Sequence, residues 1–274
     1  MTSAEWAMKI KEWIINRERI GKSCFSREDV ISAFPSMTIR AINTSLSYFA
    51  KKRLVERIQR GFYCVVPAHY ALSNSIHPYY YIDDLMAWLN KPYYVALLSA
   101  ASMWGASHQK VMITQVMTQL PQLNLATDRN VTIDWFYRKT ISSEFLIAKN
   151  GENGKVLYSN AELTAVDLIR HVHRAGGFSF VATVLAELRE ETNFSDAAKG
   201  VFRTARVADI QRLGYVYEEV LGDHPQAAVI YEQLRVMAGE LDSVLLSPAS
   251  HTAVQSKNEK WKILVNTYIE LDDL

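Results

Sequence analysis

Residues 37–66 read MTIRAINTSLSYFAKKRLVERIQRGFYCVV, and the architecture of the first part of the chain follows from them. Ile39, Ile42, Leu46 and Phe49 recur at three- and four-residue spacing. That spacing predicts a helix over about 37–52 with one apolar stripe turned inward. Arg40, Thr44, Ser47 and Lys51 fall on the opposite side, with Asn43 and Tyr48 on its borders. Two β-prone runs follow, Leu54–Ile58 and Phe62–Val66, around Gln59-Arg60-Gly61. Such runs about a short glycine-containing turn predict a hairpin.

Upstream, Trp6, Ile10 and Trp13 share one helical face, and that helix is expected to stop near Gly21. Ser26 with Asp29 three residues on is a variant capping box, which starts a short helix through Ala33. Pro35 ends it, because the residue before a proline avoids helical geometry. Ser36 or Thr38 then starts the third helix. Three helices and a hairpin within residues 1–67 form the order of a winged helix-turn-helix.

Residues 68–81, with Ser73, Asn74, Ser75 and Pro78, have the composition of a linker. From 82 to 274 the pattern predicts a larger α+β domain. Helices are expected over 83–89 and, started by Pro92, from Tyr93 to about Trp104. Strands are expected over 111–117, 131–137, 145–148 and 156–158. Further helices follow over 161–174, 178–190, 195–212 and 225–238, then a last strand over 261–265. The fold class is therefore α+β, a winged helix-turn-helix followed by a domain with a strand-rich first half and a helix-rich second half.

Of 274 residues, 49% are hydrophobic and 22% charged, a globular balance. The longest apolar stretch, Tyr93 to Ala101, is too short to span a membrane. Charged residues interrupt the first helix, so it lacks the unbroken apolar centre of a secretory signal, and a cytoplasmic location is expected. Cys24 and Cys64 belong to no CxxC pair and read as small buried apolar groups. The formal net charge of +1 hides an asymmetry. Residues 1–66 carry 12 Lys and Arg against 6 Asp and Glu, and the rest carries 18 against 23. Only the first part is suited to a polyanion.

On the third helix the residue types fit a major groove. Arginine bonds guanine bidentately, asparagine bonds adenine, and short hydroxyls reach bases or phosphates. The candidate DNA contacts are Arg40, Asn43, Thr44, Ser47, Lys51 and Lys52 on the helix, with Arg57 and Arg60 on the hairpin. Arg53 is a further candidate for phosphate. A polar face opposite an apolar stripe is also what any solvated helix presents, and cations favour helix C-termini in general. A winged helix that docks on a protein partner is the alternative reading at this point.

Nothing asks for catalysis. The chain contains no GxxxxGK[ST], GxSxG, HExxH or GxGxxG. His171 and His173 would diverge on a helix, so a shared metal is not expected, and Asp83-Asp84 suits a helix start. Asp272-Asp273 falls in the C-terminal tail and Gly176-Gly177 reads as a helix stop. No cofactor is implied. An enzyme acting on nucleotides ranks behind both binding readings.

Several ordered segments carry a resemblance to a known family. They are Arg60-Gly61-Phe62-Tyr63 with Val66-Pro67, then Lys91 to Ala101 with Gly105 and Ala106. Tyr158 to Leu168, Ala175-Gly176-Gly177, Arg212-Leu213-Gly214-Tyr215 and Trp261 to Asn266 follow. In this order the chain resembles the AbiEi antitoxins of type IV abortive-infection toxin–antitoxin systems. The resemblance implies that the winged helix binds inverted repeats in its own promoter and represses the operon. It also implies that the larger domain counteracts a nucleotidyltransferase-like toxin without forming a stable complex with it.

Overall fold

The fold is taken from a computed structural model that describes residues 3–73, 75–106, 112–123, 133–195 and 198–271. Asn74, Val111, Val131, Thr132, Asp196, Ala197 and the Asp272-Asp273 pair, each part of a feature expected above, lie outside the described residues. The protein is α+β. Two compact units interleave along the chain. The first comprises Met1–Tyr94, Val116–Ile141 and Ala148–Leu157, and the second Val95–Gln115, Ser142–Ile147 and Tyr158–Leu274.

The first unit opens with α1 (Ser3–Arg19), β1 (Cys24–Ser26), α2 (Arg27–Ala33), α3 (Ile39–Lys51), β2 (Val55–Gln59) and β3 (Phe62–Val65). Ser26 caps α2 as expected: its Oγ accepts the Asp29 N–H, and the Asp29 carboxylate accepts the Ser26 N–H. Thr38 is the cap of α3. That helix ends in a Schellman turn, with Leu54 N–H on Phe49 O and Arg53 N–H on Ala50 O. Arg53 takes the left-handed conformation there, at φ 56°. Ile10 and Ile14 of α1, Val30 of α2, and Ile42, Leu46 and Phe49 of α3 close on Phe25, Val55, Tyr63 and Val65 as one core.

The short strand β1 was not foreseen. It makes the sheet three-stranded, in the order β1-β3-β2, with both pairs antiparallel. Cys24 sits opposite Cys64, both thiols are buried and free, and their sulfurs lie 2.7 Å apart. The Arg27 N–H donates to Gly61 O at 2.8 Å, which ties the hairpin turn to the start of α2.

The stretch 68–81 contains two 3-10 turns, Ala68–Tyr70 and Pro78–Tyr80, and buries Ile76, Tyr80 and Tyr81. The Ile76 N–H donates to Glu56, and the Tyr80 hydroxyl bonds Ser23.

Next come α4 (Ile82–Trp88), β4 (Tyr93–Val95), α5 (Leu97–Met103), β5 (Thr114–Gln119), β6 (Ile133–Arg138), β7 (Leu146–Gly151) and β8 (Gly154–Ser159). These strands form a five-stranded sheet in the order β6-β5-β4-β8-β7, and β4 pairs β8 in parallel, with Val95 opposite Tyr158. The expected helix from Tyr93 is thus corrected at its start. Tyr93-Tyr94-Val95 is a fully buried strand, and a continuous apolar run cannot distinguish that from a buried helix.

In the second unit, α6 (Ala161–Arg170), α7 (Phe178–Leu188), α8 (Val207–Tyr215) and α9 (His224–Met237) are followed by β9 (Val244–Leu245), β10 (Ser256–Asn258) and β11 (Ile263–Val265). The last three make a small sheet in the order β10-β11-β9. Residues 199–204 form a 3-10 turn instead of the start of a long helix. α6 stops at Arg170 and not at 174, so His171 and His173 lie in the turn that follows it, which removes the helical geometry assumed for them. This helix is buried on all sides from Ala161 to Ile169, not amphipathic, because α5, α7 and α8 all pack on it.

The glycine of Arg212-Leu213-Gly214-Tyr215 now has a reason. A Cβ on Gly214 would lie 2.0 Å from the ring of Trp261, which is fully buried. Two of the segments that carry the resemblance meet at that contact. Beside it Asp209 is buried and bonded to both Arg206 and Arg212, while Arg212 also donates to the carbonyls of Leu245 and Leu246. Burial lowers the Arg212 pKa, and the Asp209 charge works against that.

Candidate nucleic-acid interface

The surface starts from the way α3 divides its residues. Ile42, Ser45, Leu46 and Phe49 are buried. Arg40, Asn43, Thr44, Ser47, Lys51, Lys52, Arg57 and Arg60 are all exposed. Five of them, Arg40, Asn43, Thr44, Ser47 and Lys51, line one open concave surface together with Ile39 and Tyr48. Lys52 stands at the helix end, Arg57 on β2 and Arg60 at the hairpin turn, outside that surface.

Local chemistry orders parts of this face. The Thr44 hydroxyl donates to the Arg40 carbonyl at 2.9 Å, so its proton is held by the helix and its lone pairs face outward. The Lys52 ammonium lies 6.0 Å from the centre of the Tyr48 ring, a cation–π distance that holds both side chains against the helix surface. The one acid in residues 37–60, Glu56, is half-buried, and its carboxylate accepts the Ile76 N–H at 3.0 Å. Burial raises its pKa, against that hydrogen bond and the charge of Arg53. The exposed side of α3 and the hairpin therefore presents cations with no acid of its own among them.

Two expectations change. Arg53 is half-buried, and its guanidinium donates to the carbonyls of Ser73 and Tyr70 at 2.5 and 3.3 Å. It ties down the stretch after the hairpin instead of facing a phosphate. Ile39, placed on the inward stripe by its spacing, is 57% exposed and joins the polar face. It is the first residue of α3, and helical side chains lean toward the N-terminus, so Ile39 points past the end of the core that Ile42 enters. Tyr48, expected on the border, is 52% exposed.

Among the described residues no group of three or more His, Cys, Asp or Glu side chains could hold a metal ion. No helix among them is long and apolar enough to cross a membrane.

These features define a class: an α+β protein whose small basic helix-and-hairpin part precedes a larger part built on buried helices and small sheets. Residues 94–219 match the family model of the AbiEi antitoxin C-terminal domain. Over those residues, a little under half of the chain, the protein is similar to the AbiEi antitoxins. The crystal structure of the RV2827C protein from Mycobacterium tuberculosis shares the fold. It matches with a TM-score of 0.67 at 13% identity, over 94% of this chain and 90% of that one. No curated protein matches the chain.

Proposed function

We propose that this chain is an antitoxin and also the repressor of its own operon, with residues 1–67 acting as a winged helix-turn-helix on promoter DNA. Residues 82–274 would counteract a nucleotidyltransferase-like toxin in the cytoplasm, as an abortive-infection device against phage, without catalysis of their own. The observation that carries the DNA reading is the sorting of α3. Its aliphatic residues Ile42, Leu46 and Phe49 are buried, while all eight candidate contact residues on the helix and hairpin are exposed. Arg40 and Asn43 stand in the first turns of the helix, the part of a recognition helix that meets base edges. Lys51, Lys52, Arg57 and Arg60 serve as phosphate contacts, which fix register without reading sequence. The match over residues 94–219 supports the antitoxin half of the proposal.

A cell-based experiment separates the two halves. The reading frame beside the gene is expressed to arrest growth, and the upstream region drives a reporter. The full chain is expected to restore growth and silence the reporter. Residues 1–67 alone are expected to leave growth arrested. Lys51→Ala, Lys52→Ala and Arg57→Ala combined should restore growth yet leave the reporter on. Continued silencing by that triple variant would contradict the DNA assignment.

A further inference from the structure

We infer that Ile39 is a specificity-determining residue that packs on the C5-methyl group of a thymine in the major groove. The inference rests on the DNA reading above and adds a base preference to it. Ile39 is 57% exposed at the start of α3, so more than half of its surface is open to a partner. The core of the first unit does not include it. It lies on the same open surface as Arg40, Asn43, Thr44, Ser47 and Lys51, whose hydrogen-bonding and cationic groups suit a nucleic acid.

Its position is specific. As the first residue of α3 it precedes Arg40 and stands one turn before Asn43, among the residues that enter a groove first. At about 100° per residue, Ile39 and Tyr48 fall on opposite borders of the exposed face, with the polar residues between them. In the major groove the only apolar group presented by any base pair is the thymine methyl. A β-branched side chain with few rotamers is well suited to cover one methyl at little cost in side-chain freedom. Ile39 therefore supplies a contact that its polar neighbours cannot, and it distinguishes thymine from cytosine by shape and hydrophobicity.

The test uses the full chain and duplexes that it selects from a random-sequence pool, so no operator need be known. The selected duplex is remade with deoxyuridine in place of thymidine at one position at a time, which removes a single methyl group. Burying one such group is worth about fourfold in Kd. The parent is expected to bind about fourfold more weakly at one thymine, and Ile39→Ala is expected to bind the thymine and uracil versions of that duplex equally. Ile39→Val, which keeps the branched carbon, should retain most of the discrimination. If the parent discriminates at no position, or if Ile39→Ala keeps the parent's ratio at every position, this inference is overturned while the DNA reading stands. If the full chain enriches and binds no duplex even at low salt, the DNA reading falls and this inference with it.

Discussion

Gly214 and Trp261 lie 47 residues apart in the chain, and each explains the other. The indole occupies the space where any larger residue would place its Cβ, and the nearest ring atoms are 2.0 and 2.1 Å from that point. Since Trp261 is fully buried, it has nowhere to retreat. Gly214→Ala is therefore expected to destabilise the second unit by about 3 kcal/mol, at the upper end of overpacking costs, read as a lower urea midpoint with the slope unchanged. An unchanged midpoint would mean that the ring is free to move. At this scale the sequence was informative about polarity and silent about partners. Spacing placed Arg40, Asn43, Thr44, Ser47 and Lys51 on an exposed face correctly. It misplaced Ile39 because a periodic pattern cannot say where the covering elements end. It offered Arg53 to a phosphate because nothing local reveals the carbonyls of Tyr70 and Ser73 that hold it.

Among the elements, α8 passes without a break into a π turn over Val216–Val220, and Glu218 on that turn binds the segment before β11. Its carboxylate accepts hydrogen bonds from the Lys260 ammonium and the Trp261 indole N–H. Burial pushes the Glu218 pKa up, but those two bonds outweigh it and hold it below the ordinary carboxylate value. In the unfolded chain the value is ordinary, so on acidification the unfolded state takes up the proton first. The stabilisation is therefore complete above the ordinary carboxylate range and is lost as pH falls through the depressed value. Glu218→Gln is expected to cost about 1 kcal/mol at neutral pH, with the difference from the parent closing at acid pH in urea titrations. A gap of constant size from neutral to acid pH would show that the charge is not what matters. Other elements were legible in unequal measure. The capping box at Ser26, the third helix, with Thr38 one of its two candidate caps, and the hairpin follow from local chemistry, and the structure has them. β1 was missed because it is three residues long and gains its strand character from the strand it pairs with, and β4 because its short buried apolar run reads equally as helix until its neighbours are known. That is information no short window contains.

For the whole molecule, the charge asymmetry was visible at once, and so was the order of segments that resembles the AbiEi family. The match over residues 94–219 takes in the segments from Tyr158 to Leu168, Ala175 to Gly177 and Arg212 to Tyr215. The interleaving of the two compact units was not visible, because it depends on which strands pair. The antitoxin half of the proposal rests on the match over residues 94–219, and the regulatory half on a single exposed face. That face makes a quantitative claim, since every phosphate that a lysine or arginine neutralises releases condensed counterions. The most direct measurement is the affinity of the full chain for a duplex from its own upstream region across a range of salt concentrations. The same titration is run on the Lys51→Ala, Lys52→Ala, Arg57→Ala variant. The account predicts a steep linear fall of log affinity with log salt for the parent, and for the variant a slope shallower by about 2.7, near 0.9 per phosphate contact removed. Two parallel lines would contradict it, for they would mean that the duplex is held by some other part of the protein.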